Sequence, residues 1–502
     1  MYAEEDFQLL EARTADVRVD MPWRRERPYM NPHAVFSRKR SPVAADQHEY
    51  ITAVIGKNGT GKSHLLGAIV RTFIALDELR SGKKKSLKEL PLKYLEYISD
   101  GSHCVVEQDQ FRGINASMNG QAVLARDLPL PKRVVALTIS PFDKFPVPRT
   151  YPYSVVPIES SMYQYLGLRD RFGKASIETL LYRSLNSLFD RTENEALRRS
   201  NIGAVFDFLK LKPTVNVIYR LRDTQRLRNA VNRRMHLVED NVLSPSQQRR
   251  VEEAERSGIS EGELRMLLEL AYERSVRGRI ETRADFENGG ILDDLFQKLQ
   301  PIRRAGFLNL TGVEVTHHSG LSSDLRSASS GTISMVSALV ALASVISNGS
   351  LVLIDEPEIS LHPEWQVKYI DLLVKTFGRY RGCHFIVATH SPMVISELPS
   401  HAQVISLDQA DLPPATELQG QSADFLLAEA FGVPTNGNLH VKERIVEALR
   451  LVAIGKARSI EFREIVADLQ KFKAILDDDD PSKTIIASLD EVAEHAGRNV
   501  RP

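Results

Sequence analysis

A chain of 502 residues, 42% hydrophobic and 26% charged, has the composition of a globular protein long enough for about two to four domains. Its 65 Lys and Arg balance 65 Asp and Glu, so no global field draws it to nucleic acid or an anionic surface, and any such contact must come from a local patch. Two distant cysteines, Cys104 and Cys383, give neither a disulfide framework nor metal-ligand spacing, which suits a reducing, cytoplasmic compartment.

The acidic start, Met1–Asp6, lacks the apolar stretch of a signal peptide. Residues 7–20 alternate loosely (Phe7, Leu9, Leu10, Val17, Val19) as edge strands do, and a polar, Arg- and Pro-rich connection runs from Pro22 to Ala45. Next come an apolar strand, Ile51–Ile55, the turn Gly56-Lys57-Asn58-Gly59-Thr60-Gly61-Lys62-Ser63, and a helix opening at His64–Val70. Strand, glycine-rich turn and helix are the context in which G-x-x-x-x-G-K-S is a phosphate-binding loop. The glycines let successive N–H groups from Gly56 through Gly61 turn inward on phosphate oxygens. The helix start at Lys62, Ser63 and His64 adds its positive end. Lys62 supplies a cation to the β- and γ-phosphates, and the Ser63 hydroxyl is a Mg²⁺ ligand. The chain therefore binds a nucleoside triphosphate.

Lys83–Lys85 reads as a solvated loop, and Arg133–Ile139 as a buried strand ending in the polar turn Ser140–Phe145. From Ser176 to Leu299 apolar residues recur at helical spacing (Ile177, Leu180, Leu181, Leu185, Leu188, Phe189), with a brief strand at Leu211–Tyr219. The stretch from Arg220 to Arg234 sets Arg220, Arg222, Arg226, Arg228, Arg233 and Arg234 against one acid, Asp223. It reads as a solvated face paired with the following acids (Glu252, Glu253, Glu255, Glu261, Glu263), and contact with nucleic acid or an acidic partner is the competing reading. Phe307–Val315 is a strand, Gly331–Ile346 a long apolar helix, Leu351–Ile354 and His384–Ala388 are buried strands, and Gln403–Leu407 is one more. Asn348, Gly349 and several serines interrupt the apolar run from Ile333 to Ile354, so it is helix, turn and strand rather than a membrane span. Such alternation means an α/β fold with a mostly parallel sheet and helices on both faces. Beyond Ala423 the tail is helical, and Asp477–Asp480 reads as a solvated linker within it.

Asp355-Glu356 closes a buried strand, at the edge where open α/β sheets bind ligands. Asp355 is placed to hold Mg²⁺ through water, and Glu356 to polarise the attacking water. His390, in Thr389-His390-Ser391-Pro392, lies past another strand on the same rim, where it can donate to the γ-phosphate and sense its loss. Ser329-Ser330-Gly331 opens the apolar helix as a second anion site. One triphosphate does not need two such sites, so the second suggests contact from another subunit.

In chain order, Gly56–Ser63, Ser329–Gly331, Asp355–Pro363 and Ala388–Pro392 resemble the ABC-class ATPases of the SMC/RecF/OLD group, over about residues 1–150 and 300–415. The resemblance implies an ABC-type ATPase head with an inserted helical domain and a helical tail. Residues 1–150 would be the first lobe, 151–300 the helical insertion, 301–415 the second lobe and 416–502 a partner-binding tail. It implies ATP and Mg²⁺ as cofactors, Lys62 and the loop amides on the phosphates, Ser63 and Asp355 on the metal, Glu356 as catalytic base and His390 as switch histidine. Ser329 and Gly331 would close on ATP of the other protomer in a head-to-head homodimer or larger homo-oligomer. The sequence departs from the family twice, and both departures point to slow hydrolysis: Ser140-Pro141-Phe142-Asp143 stands where the family has a glutamine, and Thr332 where the signature has Gln or Glu. The short tail after Asp424 leaves no room for the nuclease domain of the OLD group. Ile139–Phe145, the middle block and Ser422–Leu427 resemble the Septu-type anti-phage ATPases (PtuA), including those beside retrons. That likeness implies an HNH endonuclease partner and, for the retron version, a reverse transcriptase with its RNA–DNA product. The alternative is a RecF/SMC-like repair clamp that grips duplex DNA when ATP closes the dimer.

Overall fold

The computed structural model describes residues 6–498 except 16, 19–28, 37–48, 85, 87–88, 110–112, 149–160, 170–174, 176–194, 223–224, 234–242, 257, 287–293, 410–411, 436, 474 and 477–478. At its centre six parallel strands run β1 (Glu49–Ile55), β2 (Arg133–Thr138), β3 (Tyr163–Leu166), β4 (Ser350–Asp355), β5 (Cys383–Ala388) and β6 (Gln403–Ser406). Their spatial order is β3-β2-β4-β5-β1-β6. Both faces are covered, which is why these strands read as unbroken apolar runs. Leu351 and Leu353 of β4 face one core with Val134, Ala136 and Ile386; Val352 and Ile354 face the other with Val135, Leu137, Phe385 and Val387. Helix α1 (Lys62–Arg80) packs Leu65, Leu66, Ile69, Phe73 and Leu76 onto the first core. Helix α2 (Ser330–Val345) is buried almost all round in the second. That burial explains its membrane-like hydropathy, and no helix among the described residues is long and apolar enough to cross a membrane. Helix α3 (Pro363–Phe377) follows β4 and buries Tyr369, Ile370, Leu373 and Phe377 in that core.

A second, wholly antiparallel sheet caps the α1 side. Its order is His33–Val35, Phe7–Thr14, Leu92–Ser99, Ser102–Asp109, Gly113–Met118, Gln121–Val123. Phe7–Thr14, expected at an edge, is paired on both sides, with Phe7, Leu9 and Ala12 in the core. Its partners come from segments that carry no strong periodicity, so its interior position had no local signal. His384 links this sheet to β1. Leu9 N–H donates to its Nδ1 at 3.0 Å, so Nε2 carries the proton and faces Thr52 Oγ1 at 2.9 Å.

Burial pushes the His384 pKa down to about 3, so only the neutral ring fits. The unfolded chain takes a proton near pH ~6.5, so stability is full above that value and falls as pH drops toward 3, by up to about 1.4 kcal/mol per pH unit from this group. Urea midpoints measured from pH 7 to pH 4 should show a steeper acid limb for the parent than for His384→Gln. Identical slopes would show that the ring does not act this way.

The middle block brings helices Glu195–Phe208, Gln225–Asn232, Pro245–Arg256, Glu261–Arg274 and Asp294–Arg304, together with a four-stranded antiparallel sheet. Leu211–Leu221 lies in it between Arg279–Asp285 and Leu308–His317. The strand expected to re-enter the central fold near Phe307 therefore pairs here instead, because its alternate residues Leu310, Val313 and Val315 cover the same core as Val215, Val217 and Tyr219. The helical run Ile177–Phe189 lies outside the described residues. In the tail, Leu439–Ala453, Ile460–Lys473 and Pro481–Arg498 enclose a separate core of Ile445, Phe462, Ile465, Leu469 and Ile486. Asp480 is no solvated linker. It is buried, its Oδ1 accepts Ser482 N–H (2.8 Å) at the start of the last helix, and its Oδ2 accepts Gly437 N–H (3.3 Å). Asp477 and Asp478 lie outside the described residues.

Candidate nucleotide site

Parallel strands deliver their C-terminal ends to one rim. Asp355 ends β4 opposite Thr138 of β2 on one side and Ala388 of β5 on the other. Ala388 in turn stands opposite Val54 of β1, just before the glycine-rich loop. The loop ends in Gly61, which caps α1 with φ of 98° and no side-chain hydrogen bond. A side chain is excluded there twice, by the left-handed backbone and because a Cβ would lie 2.5 Å from Pro32 Cγ. The first-turn N–H groups of Lys62, Ser63 and His64 therefore have no intrahelical acceptor, and no acid sits in that turn. Thr60 Oγ1 is buried without a partner in the same loop. These free donors and the helix dipole suit an anion. Burial, with the charges of Lys144 and Arg71, lowers the His64 pKa and keeps this ring neutral.

Lys62 is 4% exposed. Its ammonium donates to Gly56 O at 2.8 Å and to His390 Nε2 at 2.6 Å. Burial lowers its pKa against the opposing pull of Glu356 and Asp355. The His390 pKa falls to about 4, through burial and then the charge of Lys62, so the ring is neutral and accepts from the lysine. Ser63 Oγ donates to Asp355 Oδ1 at 3.0 Å. Burial pushes the Asp355 carboxyl up to about 7, the Ser63 bond opposes that rise and Glu356 adds to it. A buried hard-oxygen pair with so little compensating charge fits Mg²⁺. No group of three or more His, Cys, Asp or Glu side chains forms a metal cluster among the described residues, so phosphates and waters would complete the shell.

Glu356 has a φ of 49°, a region that non-glycine residues rarely enter. Its N–H bond to Ala388 O (2.9 Å) holds it there. The side chain is 29% exposed, with Oε1 3.7 Å from His390 Nε2. One carboxylate thus meets both solvent and the loop lysine's partner. Glu358 Oε1 accepts His390 N–H at 2.6 Å, and Ser391 Oγ donates to Gln366 Oε1 at 2.7 Å, so the histidine turn is tied to the loop after β4 and to α3.

Lys62, Ser63, Asp355, Glu356 and His390 are thus brought together. Ser329, Ser330 and Gly331 are not. The two serines are exposed at the start of α2, and Ser329 Oγ caps that helix through Thr332 N–H (3.2 Å) and meets Thr332 Oγ1 (2.8 Å). Gly331 lies against the Ser360 carbonyl, where a Cβ would come within 2.4 Å of the oxygen. Among the described residues no hydrogen bond joins these serines to the phosphate loop.

Three contributors escaped the sequence reading. Asp408, past β6, accepts Lys57 N–H (3.2 Å) through Oδ2 and Ser406 Oγ (2.7 Å) through Oδ1, and so holds the loop's far side. The rule that located Asp355, a polar residue just past a parallel strand, would have found it. Asp143 is buried in the turn after β2, bonded by Arg169 Nε (2.9 Å), Tyr165 OH (3.0 Å) and Phe145 N–H (2.9 Å). That turn is pinned from behind by a carboxylate, and Arg169 lies too far along the chain for any spacing to reveal it. Glu358, third, was visible only as part of a motif.

Comparison with known proteins adds the following. Over 126 residues the chain is 30% identical to protein ea59 of Escherichia phage lambda, covering 24% of this chain and 24% of that one. Over 83 residues it is 35% identical to the retron Vc95 probable ATPase of Vibrio cholerae serotype O1 biovar El Tor, covering 16% of this chain and 15% of that one. Each match therefore spans a quarter or less of the relative's own length. Among solved structures, the SMC head domain from Thermotoga maritima aligns with 81% of this chain and 96% of its own at 12% identity, with a TM-score of 0.32. A family model described as "AAA domain, putative AbiEii toxin, Type IV TA system" matches residues 143–396. That match spans half of the chain and includes the acidic pair and His390, and the chain belongs to this family of ATPase domains.

Proposed function

We propose that this chain is an ATP-hydrolysing switch subunit that works as a head-to-head homodimer and governs a separate nuclease in anti-phage defence. One observation carries the reading: Lys62, Ser63, Asp355, Glu356 and His390 converge on one rim while Ser329 and Ser330 face solvent. The loop amides and Lys62 hold the triphosphate, and a second protomer brings its Ser329–Gly331 helix end to the γ-phosphate. Ser63 and Asp355 would hold Mg²⁺, which would supply charge neutralisation to the phosphates. Glu356 takes a proton from the attacking water. Lys62 leaves His390 for the phosphates, which frees the ring to contact the γ-phosphate. The turn that lacks a glutamine, pinned by Asp143, supports slow turnover.

The short likeness to a retron ATPase supports a defence role. The Septu-like motifs extend the proposal to an HNH endonuclease partner and, in a retron setting, a reverse transcriptase carrying an RNA–DNA product. Gentle purification of the tagged chain, expressed with its neighbouring genes, tests this reading. Mass spectrometry should find a small nuclease in the eluate. An ATPase dimer that elutes bare and then grips duplex DNA on its own would instead favour a repair clamp.

A further inference from the structure

The antiparallel sheet of the middle block ends in a ribbon where like charges face one another. Arg220 stands directly opposite Arg279 in the register of Leu211–Leu221 with Arg279–Asp285. Just beyond it, Leu221 N–H bonds Gly278 O (3.1 Å), and Arg277 and Gly278 form the tight turn that Val276 and Arg279 close by exchanging backbone hydrogen bonds. Arg220, Arg222, Arg277 and Arg279 are all exposed. Arg220 and Arg222 share a face as alternate positions, Arg279 stands opposite Arg220 and Arg277 lies in the adjoining turn, so the four gather at one end of the ribbon. Like charges directly opposite destabilise a sheet.

Nearby acids do not cancel this surface. Arg279 reaches Glu281 only at 4.0 Å, and among the described residues no acidic side chain lies within ion-pair distance of Arg220, Arg222 or Arg277. Of the acids expected to cover the arginine stretch, Glu261 bonds Arg265 of its own helix at 2.9 Å. Arg228 lies over the Tyr272 ring at 5.0 Å. Arg226 and Arg233, at either end of helix Gln225–Asn232, are exposed and extend the basic character.

We propose that this ribbon binds the phosphodiester backbone of a nucleic acid. Guanidinium groups match phosphate oxygens two at a time. Arg220 and Arg222 are two strand residues apart, about 6.8 Å along the chain, the scale of successive phosphates in one strand. An anion laid along this end of the ribbon turns the repulsive Arg220–Arg279 pairing into an attractive one. Because the chain's net charge is zero, the attraction is local to the ribbon. The inference goes beyond the switch reading and does not depend on it: loss of DNA binding leaves the nuclease partnership standing, and the reverse holds.

The test is fluorescence anisotropy of labelled DNA of about 30 nucleotides, single-stranded and duplex, with the full chain and with an Arg220→Gln/Arg222→Gln/Arg277→Gln/Arg279→Gln variant. Four phosphate contacts predict that affinity for duplex falls roughly 150-fold between about 50 and 200 mM salt, and for a single strand roughly 50-fold. The variant should bind at least about tenfold more weakly at the lower salt and lose most of that salt dependence. Its melting temperature should not fall, since the substitutions remove repulsion rather than a bond, and this separates lost binding from lost fold. Stronger binding in either DNA arm supports the proposal and names the preferred form. No measurable DNA binding by the parent, or a variant with the parent's affinity and salt slope, overturns it. Binding of polyglutamate without binding of DNA also overturns it, in favour of an acidic protein partner.

Discussion

Glu356→Gln will bind ATP as tightly as the parent chain and hydrolyse it about 10²- to 10⁴-fold more slowly, the range expected when a positioned general base is removed. The carboxylate sits one residue beyond the Mg²⁺-side Asp355, on backbone held at a φ of 49°, and is 29% exposed, so water reaches it. Lys62 bonds Gly56 O and His390 rather than this carboxylate. Its loss therefore leaves phosphate binding alone and removes only the acceptor for the water's proton. The amide keeps the shape and cannot take that proton. ATP should then accumulate on the protein and hold the dimer closed. Single-turnover hydrolysis beside equilibrium ATP binding distinguishes the two effects. A variant with normal turnover would take Glu356 out of the base role.

Lys62→Ala will weaken ATP binding by roughly 10- to 150-fold, the equivalent of one or two charge-assisted hydrogen bonds of about 1.5–3 kcal/mol in total. It will also abolish hydrolysis. The ammonium is almost fully buried and bonds the Gly56 carbonyl and His390. That arrangement holds its charge where the β- and γ-phosphates arrive, and burial keeps competing water away. Calorimetric titration with a non-hydrolysable ATP analogue, beside a nucleotide-free melting curve, separates lost affinity from lost fold. Unchanged affinity would show that the loop's amides alone bind the nucleotide.

The nucleotide site was legible in the sequence because its chemistry sits at ends of strongly apolar strands. Ile51–Ile55, Leu351–Ile354 and His384–Ala388 announce themselves by composition, and the residues that follow each one land on a common rim once the strands are parallel. The antiparallel sheets were much less legible. Leu92–Ser99 mixes buried and half-buried residues without clean alternation, and it joins the hairpin partner Ser102–Asp109 on one side to Phe7–Thr14, distant in sequence, on the other. In the middle block the arginines of 220–234 suggested one solvated helix, whereas Arg220 ends up on a strand and, among the described residues of that stretch, only Gln225–Asn232 is helical. A side chain that supports the site from a distance, such as Arg169 on Asp143, depends on a tertiary contact that no short motif encodes.

In the proposed dimer, ATP held by the Lys62 loop of one protomer is completed by Ser329–Gly331 of the other. The most direct measurement is ATP hydrolysis by an equimolar mixture of Lys62→Ala and Ser329→Arg chains, each inactive alone. In a two-fold dimer a mixed pair contains one site with both halves intact, so the mixture should regain up to about a quarter of the parent rate. A mixture as inactive as its two components would contradict a site shared between protomers.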